Sequence, residues 1–230
     1  MLSEQEAALQ AVASSLRAQG GDVEAFTVDL SHEAELIELV PRIEARFGPI
    51  DVLVNNAGIG MEASVLCTDL RKVHFLFEVN FFALVALSRQ ALAAMASRGC
   101  GRIINVSSAA GVLANANVSA YSASKGAVHA FTQAMRIEAS AMNVRVSEVL
   151  PISVRTGFFE NAISGAYRPR GIVMKPETVA QCILRCAHSN RAYPEVLPFR
   201  GIRALLVLNA VFPGLVAAVL SRRHARTVSS

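Results

Sequence analysis

The sequence has few cysteines, and none of them have the spacing of a metal site. Cys67, Cys100, Cys182 and Cys186 form no Cys-x-x-Cys pair and have no histidine cluster beside them, which argues against zinc or another bound metal. Cys182 and Cys186 share one face of a predicted helix, where buried thiols are the simpler interpretation. The first fifteen residues also lack a basic stretch followed by an apolar run, so no secretory signal is visible. We therefore expect a reducing, cytoplasmic location.

Acidic residues are missing from the end of the chain. From Phe199 onward there are five arginines and no Asp or Glu, so the first 198 residues hold 17 basic and 18 acidic side chains. The net charge of +4 therefore belongs to a short tail. A body without a basic stripe argues against nucleic-acid binding and indicates small-molecule partners.

Charge is scarce throughout, with 17% charged against 53% hydrophobic residues and a mean hydropathy of +0.40. This composition excludes disorder and predicts a core covered on more than one side. A length of 230 residues fits one domain. We divide it into a body, residues 1–198, and an apolar, arginine-flanked helical tail of the same domain, residues 199–230.

Apolar periodicity predicts alternating helices and strands along the body. Helices are predicted over 3–19, 31–47, 69–98 and 121–142, and strands over 23–30, 50–58, 101–108 and 144–151. This alternation indicates an α/β protein with a doubly wound parallel sheet and a ligand crevice at the carboxyl ends of the strands. Polar residues lie at those strand ends, at Asp29, Asn55–Asn56, Ser107–Ser108 and 151–156.

Tyr121 and Lys125 are four residues apart on a predicted helix, so their side chains share one face. A tyrosine with its ordinary pKa near 10 is a poor base, but a neighbouring ammonium lowers that pKa. Ser108, at a strand end, is placed to hydrogen-bond the same substrate oxygen. The three side chains suit proton transfer coupled to hydride transfer. For the Tyr–Lys pair alone, an amphipathic helix with a solvated lysine is the plain alternative.

Six short motifs follow one another in a fixed order: VDL (28–30), NNAG (55–58), VN (79–80), NVSS (105–108), YSASK (121–125) and P-x-x-V-x-T (151–156). With them the sequence resembles the short-chain dehydrogenases/reductases over nearly its whole length. The resemblance implies that Tyr121 is the general acid/base and that Lys125 lowers its pKa and binds the nicotinamide ribose. It further implies that Ser108 polarises the substrate oxygen and that Asn80 holds a water in a proton relay.

The same resemblance implies a nicotinamide cofactor, NADP or NAD, and of the two we expect NADP. Asp29 would contact the adenine, and Val154 and Thr156 the nicotinamide carboxamide. The family usually has a glycine where this chain has Ile152. The full set of implied cofactor positions is Asp29, Leu30, Asn56, Ala57, Gly58, Tyr121, Lys125, Pro151, Val154 and Thr156.

Members of this family begin with a strand, a TGxxxGxG turn and a helix whose amino end receives the cofactor's pyrophosphate. This sequence contains no such motif. We therefore expect a Rossmann-like sheet that lacks about one strand-helix-strand unit at its amino end, roughly 30 residues or more. In the family's strand order, 3-2-1-4-5-6-7, that loss cuts the sheet in its middle. Either the true start lies upstream of Met1, or the chain is a decayed or regulatory relative without redox activity.

The expected function is hydride transfer between a nicotinamide cofactor and an alcohol or carbonyl substrate, most simply a lipophilic one. The alternative is an inactive binding or scaffold protein of the same fold, or a non-functional fragment. The resemblance also implies a homo-oligomer, formed through the helix that carries Tyr121 and its neighbour.

The tail contains an apolar run over 204–220 that is 17 residues long and includes Asn209 and Pro213. Because a membrane span needs about 20 residues, a transmembrane helix is not expected. Two interpretations stay open. The run is a lid or dimer-face helix over the substrate pocket, or it lies on a membrane surface with its arginines against anionic lipid, as peripheral membrane contact of a cytoplasmic protein.

Overall fold

Three parallel strands form the sheet in the part of the chain that the computed structural model describes, residues 2–158, 162–163, 172–199 and 201–228. They are β1 (Val52–Asn55), β2 (Gly101–Val106) and β3 (Val144–Val149), in the order β1-β2-β3. Val196 adds a parallel bridge to Val149 on the outer side of β3. The parallel order confirms the predicted α/β class.

The helices of the described chain are α1 (Leu2–Ala18), α2 (Glu33–Leu36), α3 (Leu39–Phe47), α4 (Leu70–Phe77), α5 (Ala83–Arg98), α6 (Ser119–Ser140), α7 (Pro176–His188), α8 (Ile202–Val211) and α9 (Pro213–Val228), with a π-helical turn at Glu78–Phe82 and 3₁₀ turns at Val65–Cys67 and Ala109–Gly111. Of these, α5 and α6 cover one face of the sheet and α7 covers the other. Ile103 of β2 is buried under α5 and α6, whereas its neighbour Ile104 is buried under α7. Burial of successive residues on opposite faces is typical of a strand covered on both sides.

The predicted strand over 23–30 is wrong. The segment runs past α2 and α3 without a sheet ladder, because none of the described strands pairs with it. Phe26, Val28 and Leu30 instead pack their side chains against the buried Leu36 and its neighbours. A strand depends on a partner for its backbone groups, so a sequence rich in β-formers does not by itself make one.

The predicted single helix over 31–47 is also interrupted. It divides into α2 and α3, and the residue before α2 is His32, with no side-chain cap. Ser31 does not cap the helix, because the residue at the capping position is His32. Ser31 belongs instead to a turn with Asp29, in which its backbone N–H and its hydroxyl both donate to Asp29 Oδ1, at 2.9 and 2.7 Å.

The apolar run of the tail is not one helix. Helix α8 ends at Val211 and α9 begins at Pro213, and the two helix axes differ in direction by 117°. Within the described residues, this bent pair and the helical stretch Leu70–Arg98 have the length and composition of a membrane span. Ala91 and Met95 of Leu70–Arg98 lie in the core beneath the sheet, as in a core helix.

A chain of buried polar side chains links β1, β2 and the helices over them. Asn55 and Asn105 are direct partners in the register of β1 and β2. The Asn55 amide donates to Asn105 Oδ1 and to Ser88 Oγ, both at 2.9 Å, and the Asn105 amide donates to Thr132 Oγ1 at 2.9 Å. Because buried amides are costly unless they are paired, these bonds fix the alignment of the two strands.

Candidate active site

A cavity of about 780 Å³ opens at the carboxyl ends of the three strands. This is the edge at which the parallel order predicts a ligand crevice. Nine of the predicted site residues line it, and they come from every strand end and from α6: Asn56, Ala57, Gly58, Ser108, Tyr121, Lys125, Pro151, Val154 and Thr156. Ile152, the residue at the position of the family glycine, lines it as well.

Ser108 and Tyr121 meet at the wall of this cavity. Ser108 follows β2 and begins the turn Ala109–Gly111, where its Oγ accepts a hydrogen bond from the Ala110 N–H at 3.1 Å. Tyr121 lies in the first turn of α6 and lines the same cavity as Ser108. Burial raises the pKa of Tyr121 to about 12, and the Ser108 side chain acts in the opposite direction. The phenol therefore holds its proton at neutral pH.

Lys125 lies one turn further along α6 and is almost fully buried. Its Nζ donates to the carbonyl oxygen of Val106, at the end of β2, at 3.2 Å. Burial lowers the pKa of Lys125 to about 8, and the negative charge of Glu148 opposes this shift. The structure differs here from the expectation that Lys125 lowers the pKa of Tyr121, since burial dominates the ionisation of both groups.

Glu148 and His129 form a buried acid–imidazole pair behind Lys125 that sequence analysis did not identify. His129 Nδ1 of α6 and Glu148 Oε2 of β3 are 2.9 Å apart, and the Glu148 side chain has no exposed surface. Burial raises the pKa of Glu148, and the hydrogen bond with Glu148 raises the pKa of His129. One sequence feature could have predicted this pair: a glutamate stands within the apolar strand VRVSEVL. A buried acid at such a position requires a partner.

Asn80 lies in the π-helical turn and is fully buried behind the cavity wall. Its Oδ1 accepts from the Ile59 N–H at 2.8 Å, and its Nδ2 donates to the Ile59 carbonyl at 3.0 Å and to Ser124 Oγ at 3.1 Å. A Cβ atom on Gly58 would come within 3.1 Å of Asn80 Oδ1 and 3.2 Å of Lys125 Nζ. Asn80 thus holds the loop after β1, and Gly58 lets that loop approach both side chains.

Asp29 and Leu30 do not line the cavity. The Asp29 carboxylate accepts two hydrogen bonds from Ser31, and these bonds lower its pKa. Leu30 packs with Leu36 and Ala83. Their assignment to the adenine of a cofactor stays a prediction, as does the role of Asn80 in holding water.

Phe158 is a further cavity residue that sequence analysis missed. Its ring meets the ring of Tyr121 edge to face, with centroids 5.8 Å apart. Much of the remaining wall is apolar and comes from Met61, Leu113, Val179, Ile183 and Ile202. Nothing in the spacing of these residues marks them, because they come from loops and helices that only the fold brings together.

Comparison with known proteins places this geometry in a family. A family model described as short chain dehydrogenase matches residues 1–166. Dehydrogenase/reductase SDR family protein 7-like of Drosophila melanogaster is 36% identical over 177 residues, which cover 74% of this chain and 54% of that protein. Estradiol 17-beta-dehydrogenase 11 of Rattus norvegicus is 31% identical over 219 residues, 94% of this chain and 71% of that protein.

A solved structure agrees with these matches. The short-chain dehydrogenase from Sphingobium yanoikuyae in complex with NADPH superposes with a TM-score of 0.75 at 27% identity, over 91% of this chain and 81% of that one. The chain therefore belongs to the short-chain dehydrogenase family, which confirms the resemblance. It spans about half the length of the fly relative, so the activity, substrates and partners of the whole protein are matters of proposal.

Proposed function

We propose that this protein is an NADP-dependent oxidoreductase that interconverts an alcohol and a carbonyl compound. The observation that carries the proposal is that Ser108 and Tyr121 line one cavity, with the buried ammonium of Lys125 one helical turn away from Tyr121. The similar solved enzyme from Sphingobium yanoikuyae holds NADPH, which supports the choice of NADP.

Tyr121 moves the proton in the proposed reaction. Because burial raises the pKa of its phenol to about 12, Tyr121 carries a proton to give to a carbonyl oxygen. The Ser108 hydroxyl donates a hydrogen bond to the same oxygen and stabilises the charge that develops there. At neutral pH the phenol is thus in the form that can protonate a carbonyl oxygen.

The residues of the cavity fit the nicotinamide end of the cofactor. Gly58 leaves room where a Cβ would meet Asn80 and Lys125, and Lys125 Nζ has donors beyond the one bonded to Val106. We assign the nicotinamide ribose to Lys125, the carboxamide to Val154 and Thr156, and the neighbouring wall to Asn56, Ala57, Gly58 and Pro151. When bound, the nicotinamide supplies or accepts the hydride.

The substrate we propose is a lipophilic ketone or alcohol. Much of the cavity wall is apolar, from Met61, Leu113 and Ile202 among others, and an apolar wall favours ligands that bury apolar surface. The rat relative carries the name of an estradiol dehydrogenase, which supports the same class.

Substitution of Tyr121 tests the proposal on the intact gene product. Tyr121→Phe removes the proton donor, so we expect kcat for carbonyl reduction to fall about 100-fold to 10,000-fold, while NADPH binding stays near that of the parent. Oxidation of NADPH, followed by its absorbance with a panel of lipophilic ketones and aldehydes, gives the rate.

Tyr193→Phe is the matched control, because Tyr193 lies outside the cavity, stacked on Arg185. Unchanged turnover in Tyr121→Phe would contradict the role of the phenol. If the parent binds neither NADPH nor NADH and reduces no carbonyl in the panel, the alternative of an inactive binding or scaffold protein is correct.

A further inference from the structure

The helices α8 and α9 expose apolar side chains around most of their circumference. A surface helix of a water-soluble protein normally presents polar residues opposite its buried stripe. On these helices the exposed positions are instead mostly alanine, valine, leucine and phenylalanine. We call this the tail surface, defined by Val207, Leu208, Val211, Phe212, Leu215 and Val219.

In the described part of the chain, one buried stripe of apolar side chains attaches the two helices to the body. Leu206 of α8 and Val216 of α9 are buried against Leu113, with Ile202 and Leu220 packed partly beside them. The side chains of the tail surface point away from this cluster and remain 39 to 61% exposed. Contacts within the described chain thus bury one side of each helix, and the remaining sides are exposed.

The charge of the segment has one sign. Exposed arginines stand at both ends of the helix pair, Arg203 in the first turn of α8 and Arg222 late in α9. The sequence contains no Asp or Glu after Glu195. Arginines that flank an apolar helix surface are complementary to a layer that is apolar inside and anionic at its boundary.

We propose that the tail surface docks on an anionic lipid membrane, with its apolar side chains among the acyl chains and Arg203 and Arg222 at the headgroups. A second copy of this chain is the less suitable partner. In a symmetric tail-to-tail contact the arginines would approach arginines of the copy, and the segment offers no acid to separate them. A protein partner also covers one face of a helix, whereas a fluid apolar layer covers several.

The helices lie in the membrane surface and do not cross it. With 10 residues in α8 and 16 in α9, their lengths are about 15 and 24 Å, short of the ~30 Å hydrocarbon core. The bend of 117° between them prevents the pair from acting as one straight span.

The docked surface adjoins the cavity. Ile202, the first residue of α8, lines the cavity, and so does Leu113, on which both helices pack. Docking would therefore bring the cavity close to the lipid phase, and a lipophilic ketone could enter from there. This consequence for substrate supply rests on the proposed function; the docking itself does not.

Co-sedimentation of the intact protein with lipid vesicles tests the docking. We expect binding to vesicles of phosphatidylcholine with phosphatidylserine, weaker binding to phosphatidylcholine alone, and loss of the difference in high salt. Val207→Ser with Val211→Ser removes exposed apolar area and should weaken binding about tenfold. Arg203→Gln with Arg222→Gln should weaken it about tenfold to thirtyfold on the anionic vesicles only.

Val65→Ser with Leu66→Ser is the matched control, because it removes two apolar side chains that are even more exposed and lie outside the tail, in the turn Val65–Cys67. It should bind vesicles as the parent does, and so should Tyr121→Phe, which separates this test from that of the proposed reaction. Equal binding of both vesicle types, or parental binding by the tail variants, would overturn the proposal. It is also overturned if no vesicles bind and the tail variants turn an oligomer into monomers in sedimentation velocity.

Discussion

At the scale of single residues, the ionisation of Lys125 depends on two opposing neighbours. Burial in the cavity wall lowers its pKa, the buried carboxylate of Glu148 raises it, and the net result is a pKa of about 8. Burial raises the pKa of Glu148 in turn, and the hydrogen bond with the His129 imidazole, 2.9 Å away, opposes that rise. Glu148 is therefore a positioning residue in our interpretation, since it acts through Lys125 and does not touch the reacting atoms.

Glu148→Gln should shift the pH profile of the proposed reaction. Removal of the carboxylate takes away the effect that raises the pKa of Lys125, so the ammonium is lost at a lower pH. If charged Lys125 is required, activity is full below its pKa and falls as the pH rises through it. We therefore expect the alkaline limb of kcat/KM to move to lower pH in the variant.

The control variant is Glu138→Gln, because Glu138 is an exposed acid on α6, the helix that carries Lys125. If the pH profile of Glu148→Gln coincides with that of the parent, Glu148 does not control the pKa of Lys125. A general loss of activity at every pH, with lowered thermal stability, would instead assign Glu148 a purely structural role.

At the scale of elements, the turn Ala109–Gly111 and α6 are fitted closely to each other. A Cβ on Gly111 would lie 2.6 Å from the carbonyl carbon of Lys125, a backbone atom that cannot move aside. Ser108 precedes this turn and Tyr121 belongs to α6. The fit of turn and helix therefore sets the distance between the two side chains proposed to share one substrate oxygen.

Gly111→Ala should separate the turn from α6. We expect a loss of stability of about 1–3 kcal/mol and a fall in kcat of about 100-fold, as for a displacement near 1 Å. Gly214→Ala in α9 is the matched control, because a Cβ there meets no atom within 4 Å. Thermal unfolding and NADPH oxidation measure the two effects, and parental values of both in Gly111→Ala would refute the close fit.

The same elements show how far the sequence could predict the site. Seven of the nine predicted cavity residues follow strands and were predictable because parallel strands end at one edge, so motifs after each strand converge. The other two, Tyr121 and Lys125, were predicted from their spacing on one helix. The π-helical turn at Glu78–Phe82 was not predictable, because it depends on Asn80 reaching the backbone of Ile59 across the fold. The strand over 23–30 failed for the same reason, since its formation depends on a distant partner and its own residues cannot supply one.

At the scale of the whole molecule, α6 presents one outward stripe of small and apolar side chains. Ala123, Ala130, Ala134 and Ile137 are exposed and lie on one face of the helix. Small residues let two helices approach closely. This stripe supports our proposal that the protein is a homo-oligomer, with α6 and its neighbour α5 at the contact.

Ile137→Glu tests that contact, because it places a charge in the middle of the expected interface. We expect the parent to sediment as an oligomer and the variant as a smaller species at equal concentration. Leu66→Glu, which changes a leucine that is 98% exposed elsewhere, should leave the sedimentation unchanged. A parent that sediments as a monomer, or a variant that stays assembled, would exclude this interface.

The paired asparagines of β1 and β2 also matter for how accurately the chain folds. A misaligned nascent sheet, shifted by one residue, would turn Asn55 and Asn105 to opposite faces and leave their amides unpaired in the interior. The same shift would move Asn56 and Ser107 out of line at the strand ends. The paired Asn55 and Asn105 therefore select the correct alignment during folding. A sheet that forms with the wrong alignment is less stable, so an incorrectly assembled catalytic cleft does not accumulate.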